Sequence, residues 1–566
     1  MSIHPMLSVL RRHLLPATAL VLLGAGLGFQ VSSYLGDGDV QDQGEKLKEA
    51  LVKIDRYYAD PVSSEDLAAK GIQEMVDDLD PHSSYIPADR MQDLRDRYEG
   101  SFGGVGISFE VVDDTARVVS PLPGGPSQQA GVQAGDRIVA IEDSSAVGIS
   151  SSGLQDRLKG RSGTEVSFTV YRPLSDKRLT FTVERDKISY RTVTAVHMID
   201  QETGYLHIGR FAKPTHNEFT DAVESLKSKG MERLVLDLRG NRGGVMQSSI
   251  QIADEMLGTA GATIVETRYR RASANRTYEA SSGGLLTGEP ISVLVDQGSA
   301  SASEILTGAL QDHDRALVVG RRTFGKALVQ KPFSLTDGSA LQLTVGHYYT
   351  PVGRLIQTPY EKGKMDAYYE EKSARLENAL FNAEEYRRSV PDSLRYRTDH
   401  GRTVFGGGGI LPDEIVRPDT TSLAAYVRRS GLAQQFARKW FSDHERSLRS
   451  TWRDREDAFP KEYEVPDEVL SALWTFAQKE DFLALKNSGA EAGGAERTYR
   501  PSAAEAARDA VASRIKGHLA DILYGRGAAR PILNRAIPIV QRALNSWPTS
   551  EALAAYHGAR SPQESG

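Results

Sequence analysis

The chain of 566 residues contains no cysteine. That excludes a disulfide framework, a thiol nucleophile and any cysteine-based metal site. No HExxH pattern and no Walker-type phosphate loop occurs, so neither zincin nor P-loop chemistry has support. Basic residues do not prevail: 69 Lys and Arg stand against 75 Asp and Glu, for a net charge of -6. With no long basic run either, nucleic acid is excluded as the main partner. No fixed-period repeat is present. What remains, at 40% hydrophobic and 25% charged residues, is ordinary for globular protein, and the length calls for several domains.

The one long apolar run lies at the start, within residues 1–36. "VLRRHLLPATALVLLGAGLGF" sets Arg11 and Arg12 before apolar sequence from His13 to Phe29. A basic flank followed by such a run reads as a signal peptide or signal anchor. No clean small-x-small cleavage site follows, which favours an uncleaved anchor. The rest of the chain is therefore expected on the extracytoplasmic, periplasmic side, anchored to the inner membrane by this segment or exported.

Residues 37–45 are polar and read as a linker. Residues 46–98 space their apolar residues by three and four, as helices do, with a turn at "LDPHSSYI" (79–86). From "GSFGGVGISFEV" the pattern becomes short strands with Gly and Pro between them. This block, residues 99–187, has the size of a small domain. Residues 188–357 alternate strand and helix: "GYLHIGRF", "RLVLDLR", "ATIVETRY", "ISVLVDQ", "ALVVG" and "ALQLTVGHYYT" read as strands. Such alternation predicts an α/β layer over a largely parallel sheet. Residues 358–400 form a charged, helix-prone insertion, residues 401–420 return to loop and strand, and residues 421–566 form a helical extension.

Three stretches carry chemistry. In "ISVLVDQGSASASEILTGALQDHD" an apolar strand gives way to Gly298, three alternating serines and a helix. A serine at a strand-to-helix turn gains from the free N–H groups and positive dipole end of the helix, although a serine-rich N-cap produces much the same string. A serine also needs a base. His207, His313 and His347 lie in this block, but none sits in a small-residue or Gly-rich motif. "GRRTFGKALVQ" offers Lys326 in a small-sided, apolar stretch, with Gln330 four residues on. A buried lysine can lose its proton readily enough to serve as a neutral base. "LDLRGNRGG" supplies Gly243 and Gly244, whose backbone N–H groups could point into a site. Separately, "GGVGI" (Gly103, Gly104, Val105, Gly106, Ile107) is a Gly-rich turn entering a strand. It is either a plain hairpin turn or a nest of N–H groups for an anion such as a peptide carboxylate.

Together these motifs resemble the carboxyl-terminal processing, or tail-specific, proteases. The resemblance runs from about residue 43 to residue 415. It rests on "LDPHSSYI", "FGGVGISFE", "GGPSQQAGVQAGDRIVAIED", "LKGRSGTEVSFTVYR", "LDLRGNRGG", "GSASASEILTGALQDHDRALVVGRRTFGKALVQ", "YYTPVGRLIQ" and "GGGGILPDEIV", in that order. It implies a crotonase- or ClpP-like α/β serine protease core (188–357 and 401–420) with a mostly β PDZ domain inserted before it. It implies Ser301 as nucleophile, Lys326 as base and Gln330 as the residue that positions the lysine. The implied oxyanion donors are backbone N–H groups of Gly243 or Gly244 and of Ala302, with Ser299 and Ser303 in support. The "GGVGI" turn would hold the substrate's C-terminal carboxylate. Neither cofactor nor metal is implied. The partners implied are proteins or peptides with free C-termini, with room for a regulatory adaptor and a homo-oligomer. Two departures stand out: Ala327 replaces the family's usual glycine after the lysine, and Gly240 and Arg242 replace its usual Asn-Pro pattern. Neither alters a side chain with an implied catalytic role.

Overall fold

The computed structural model describes residues 38–560, apart from residues 113, 174, 382, 420, 481, 483, 486–497 and 536. The expected signal segment lies outside the described residues. Among the described residues, no helix is long and apolar enough to cross a membrane.

Helices Gly38–Tyr57, Ser64–Asp77 and Met91–Glu99 come first. The expected linker at 37–45 is helix from Gly38 onward, because Gln41, Gln43 and Glu45 favour helix and the run continues into an amphipathic stretch. Ser63 caps the second helix by accepting the Asp66 amide at 3.1 Å, with Glu65 and Asp66 at its positive end. The "LDPHSSYI" turn then feeds a short strand, Ser84–Ile86.

The block after residue 99 is a separate β domain. Its main sheet orders strands Ile107–Val112, Thr115–Pro121, Arg137–Ile141, Glu165–Arg172 and Lys177–Glu184, all antiparallel. Val118, Ile138, Ile141, Leu154, Phe168 and Val170 form its own core. The strand leading in, Ser101–Gly104, pairs with the strand leading out, Asp186–Ser189. The domain thus hangs from the rest of the chain on a two-stranded neck.

The α/β layer has six strands in the order Val193–Met198, Thr203–Ile208, Arg233–Asp237, Ile291–Val295, Leu317–Gly320 and Glu414–Ile415. The first pair is antiparallel and the other neighbours are parallel. Strands buried on both faces read as continuous apolar runs, and Ile291–Val295 is buried throughout. Alternation decides which layer each side chain meets. Leu234, Leu236, Val293 and Val295 pack with helices Thr215–Ser228, Met246–Leu257 and Ala302–Asp312. Val235, Leu294, Leu317 and Val319 face the other way and meet Ile539, Val540, Ala543, Trp547 and Leu553. The far C-terminal helices, Pro538–Asn545 and Trp547–Arg560, are therefore the second covering layer of this sheet.

Two of the expected core strands lie elsewhere. Thr263–Tyr269 and Ala340–Tyr349 join Ser84–Ile86, Arg276–Glu279 and Leu328–Ser334 in a second, antiparallel sheet. Apolar runs alone do not distinguish the two sheets. The insertion forms helices Met365–Phe381 and Ala383–Ser389 and a strand, Arg395–Arg397, paired with Thr403–Phe405. Helices between Leu423 and Arg535 build another core around Phe436, Phe459, Leu473, Val511, Ile515 and Leu519.

Candidate active site

The serine-rich motif sits where strand Ile291–Val295 turns into helix Ala302–Asp312. Ser301 is the residue before the first helical turn and holds φ 56° and ψ −112°. Few residues with a side chain adopt that conformation, and such strain collects at functional sites. The flanking serines anchor the turn. Ser299 Oγ donates to the Leu238 carbonyl and Ser303 Oγ to the Asn241 carbonyl, each at 2.8 Å. Both acceptors lie on the loop that carries Gly243 and Gly244, so the two motifs are tied by buried bonds.

That tie puts Gly243 against the serine. A methyl group at Gly243 would stand 2.7 Å from the Ala300 carbonyl and 2.9 Å from Ser301 Cβ. The Gly243 N–H donates to Asn241 Oδ1 at 2.9 Å. Among the described residues, the amides of Gly244 and Ala302 donate to no acceptor. Gly244 can have no side chain, since one would begin 1.8 Å from the Phe211 carbonyl oxygen.

Lys326 lies on the loop before strand Leu328–Ser334. Its amine donates to Gln330 Oε1 at 2.6 Å, and no hydrogen bond joins it to Ser301 in this conformation. Burial pulls the Lys326 ammonium below the ordinary lysine range, opposed by the charges of Asp80 and Glu304. Gln330 Nε2 donates in turn to the His82 carbonyl at 2.5 Å, which turns its oxygen toward the lysine and toward Gln342 Nε2, at 3.2 Å. Ala327, fully buried, fits its extra methyl into the core while its amide donates to Gln357 Oε1 at 2.9 Å.

The sequence reading missed the group that joins the two halves. Glu304 is fully buried. Its Oε2 accepts the amides of Ser301 at 2.8 Å and Lys326 at 2.9 Å. Its Oε1 accepts Thr323 Oγ1 at 2.6 Å and the Gly325 amide at 2.7 Å. Burial pushes this carboxyl up, and the four donors pull it back. Tyr348 makes a second bridge, donating to the carbonyl oxygens of Ser301 and Lys326. The spacing Ser301-x-x-Glu304 is a capping-box pattern, a signal available in the sequence. Tyr348 left no such signal. The three histidines weighed as bases have other partners or places. His207 bonds Thr194 Oγ1 at 2.5 Å, His313 bonds Asp399 and the Thr263 carbonyl, and His347 lies in the second sheet opposite Leu328 and Arg268.

At the "GGVGI" turn, Gly103 and Gly104 pair with Lys187 and Asp186 in the neck. Among the described residues, the amides of Val105 and Gly106 donate to no acceptor. Ile107 begins a strand at the edge of its sheet. Among the described residues, no group of His, Asp and Glu side chains could hold a metal ion.

Comparison with known proteins bears on both parts of the chain. Residues 202–362 match peptidase family S41, and residues 103–184 match the PDZ domain. A carboxy-terminal-processing protease of Bartonella bacilliformis is 37% identical over 54% of this chain and 70% of its own length. The carboxy-terminal processing protease CtpA of Bacillus subtilis is 32% identical, over 60% and 72%. A solved structure, the photosystem II D1 C-terminal processing protease, aligns with 55% of this chain and 89% of its own, at 30% identity and a TM-score of 0.32.

Proposed function

Because the chain belongs to the carboxy-terminal processing proteases and is a serine peptidase with a PDZ domain, we propose that it cleaves exported proteins near their C-termini with Ser301 and Lys326. Ser301 Oγ attacks the scissile carbonyl while the neutral Lys326 amine takes its proton. The oxyanion is held by the N–H groups of Ala302 and Gly244, amides that have no acceptor among the described residues. Gly243, whose N–H is already given to Asn241, shapes the hole. The Lys326 ammonium then protonates the leaving amine, and water hydrolyses the acyl-enzyme. Gln330 steers the lysine. The Ser301 and Lys326 side chains must approach for this, as catalytic bonds often tighten only once substrate binds.

The observation that carries this reading is the shared anchor of the two residues. One buried carboxylate oxygen of Glu304 accepts both their backbone amides. A substrate tail would add as a further strand to the open edge Ile107–Val112, with its carboxylate at the Val105 and Gly106 amides. Partners are then proteins or peptides with free C-termini. The basic and apolar N-terminal segment places the protein outside the cytoplasm, exported or held at the inner membrane.

The test is cleavage of an unstructured protein with a small apolar C-terminal tail by wild type, Ser301→Ala and Lys326→Ala. Cleavage by wild type alone is expected. Equal cleavage by all three would place the active site elsewhere. Amidating the substrate's C-terminus should raise KM more than it lowers kcat.

A further inference from the structure

The insertion reaches the lysine loop at two points. From its first helix, Met365–Phe381, comes Tyr368, only 2% exposed. Its hydroxyl lies 3.2 Å from His82 Nε2, and the two rings meet edge-on at 5.8 Å. His82 also packs on Phe324, two residues before the lysine, at 6.0 Å. From the second helix, Ala383–Ser389, comes Tyr386. Arg322 donates to its hydroxyl and lies over its ring at 4.9 Å. Arg322 Nε is fixed in turn on the Gly408 carbonyl.

We propose that residues 358–400 clamp the lysine loop, with Tyr368 and Tyr386 as residues that position Lys326. The inference rests on the Ser301–Lys326 reading above. His82 reaches Gln330 through its main-chain carbonyl, so whatever holds the His82 peptide helps fix the Gln330 amide. Tyr368 and Phe324 hold that ring. With the peptide fixed, the Gln330 amide nitrogen is committed to His82, and its oxygen accepts from Lys326 at 2.6 Å and from Gln342 Nε2 at 3.2 Å. Released, the amide keeps only the longer Gln342 bond to orient it, and the lysine's acceptor is less firmly placed. Arg322 on Tyr386 restrains the same loop four residues upstream of the lysine. An insertion outside the common protease core thereby reaches the base through the residues that position it.

The clamp also governs how dry the lysine is. The charged groups that act on Lys326 are Asp80, from the N-terminal turn, and Glu304, from helix Ala302–Asp312, and both favour its ammonium form. Only burial opposes them. Loosening the loop admits water and gives that opposition away.

The test compares full-length wild type, Ser301→Ala, Tyr368→Phe, Tyr368→Ala and Tyr386→Phe on the same unstructured substrate, across pH and well below each variant's melting temperature. The two Phe variants keep the ring and lose one hydroxyl, so they disturb the packing least. Each is expected to lower kcat about tenfold with KM within about twofold. Tyr368→Ala should lower kcat further and move the acid limb of the rate profile to higher pH. Inactive Ser301→Ala beside Phe variants that keep wild-type kcat and pH limb would overturn the clamp alone. A rise in KM at constant kcat would overturn it too, making the insertion a substrate-binding element. Wild-type cleavage by Ser301→Ala would instead remove the dyad reading on which the clamp rests.

Discussion

Glu304 and Lys326 meet through the backbone: the buried Glu304 carboxylate accepts the Lys326 amide at 2.9 Å and, with the same oxygen, the Ser301 amide at 2.8 Å. The turn bearing the serine and the loop bearing the lysine are thus fixed to one atom. Glu304→Gln swaps part of this acceptor set for an N–H donor facing N–H donors. Leaving buried donors unpaired costs about 1–3 kcal/mol each. Denaturant unfolding should show a loss of ~3 kcal/mol or more, and peptidase rates should fall with it. The acid limb of the residual activity should move to lower pH, because a negative charge that favours the Lys326 ammonium is gone.

The wild-type pH profile follows from the direction of the lysine shift. Burial lowers the Lys326 pKa in the folded protein, and only the neutral amine can take the serine's proton. Activity should rise with pH through that pKa, with its midpoint below the ~10.4 of an ordinary lysine. Lys326→Arg cannot supply a neutral amine near neutral pH. It should lose about 10³-fold or more in kcat, with its melting temperature changed far less. A midpoint at the ordinary lysine value would show that Lys326 is not held dry.

Gly244→Ala tests the loop beside the serine. Its methyl would start 1.8 Å from the Phe211 oxygen, at a φ of +141°, so the loop must move. An oxyanion donor that moves away typically costs about 10²–10³ in kcat. Stopped-flow measurement of acylation should locate that loss in bond making rather than in substrate affinity.

Truncation before residue 537 tests the role of the C-terminal helices. It would bare Tyr205, Val235, Leu294, Leu317 and Val319 on one sheet face. Apolar patches of that kind drive association. Size-exclusion chromatography should show aggregates or no recoverable protein, whereas deletions that serve only regulation would leave a well-behaved enzyme.

Local pattern sufficed for much of this protein. Alternating apolar runs marked the small β domain, and Gly298 with the serines marked the strand-to-helix turn. The resemblance supplied the proposed roles of Ser301, Lys326 and Gln330, and the structure places Gln330 on the lysine amine. These signals are legible because they depend on neighbours in sequence, through helix and strand periods and turn chemistry. The tertiary structure decided the rest. It put Ala340–Tyr349 in an antiparallel sheet, since an apolar strand does not name its partner. It turned the extension at 538–560 into a covering layer, because the outer face of a parallel sheet must be buried by something. It brought His82, Glu304, Tyr348 and Tyr368 to one lysine from four separate stretches. Each of those contacts is a long-range packing or hydrogen-bonding event, and no single stretch of sequence contains it.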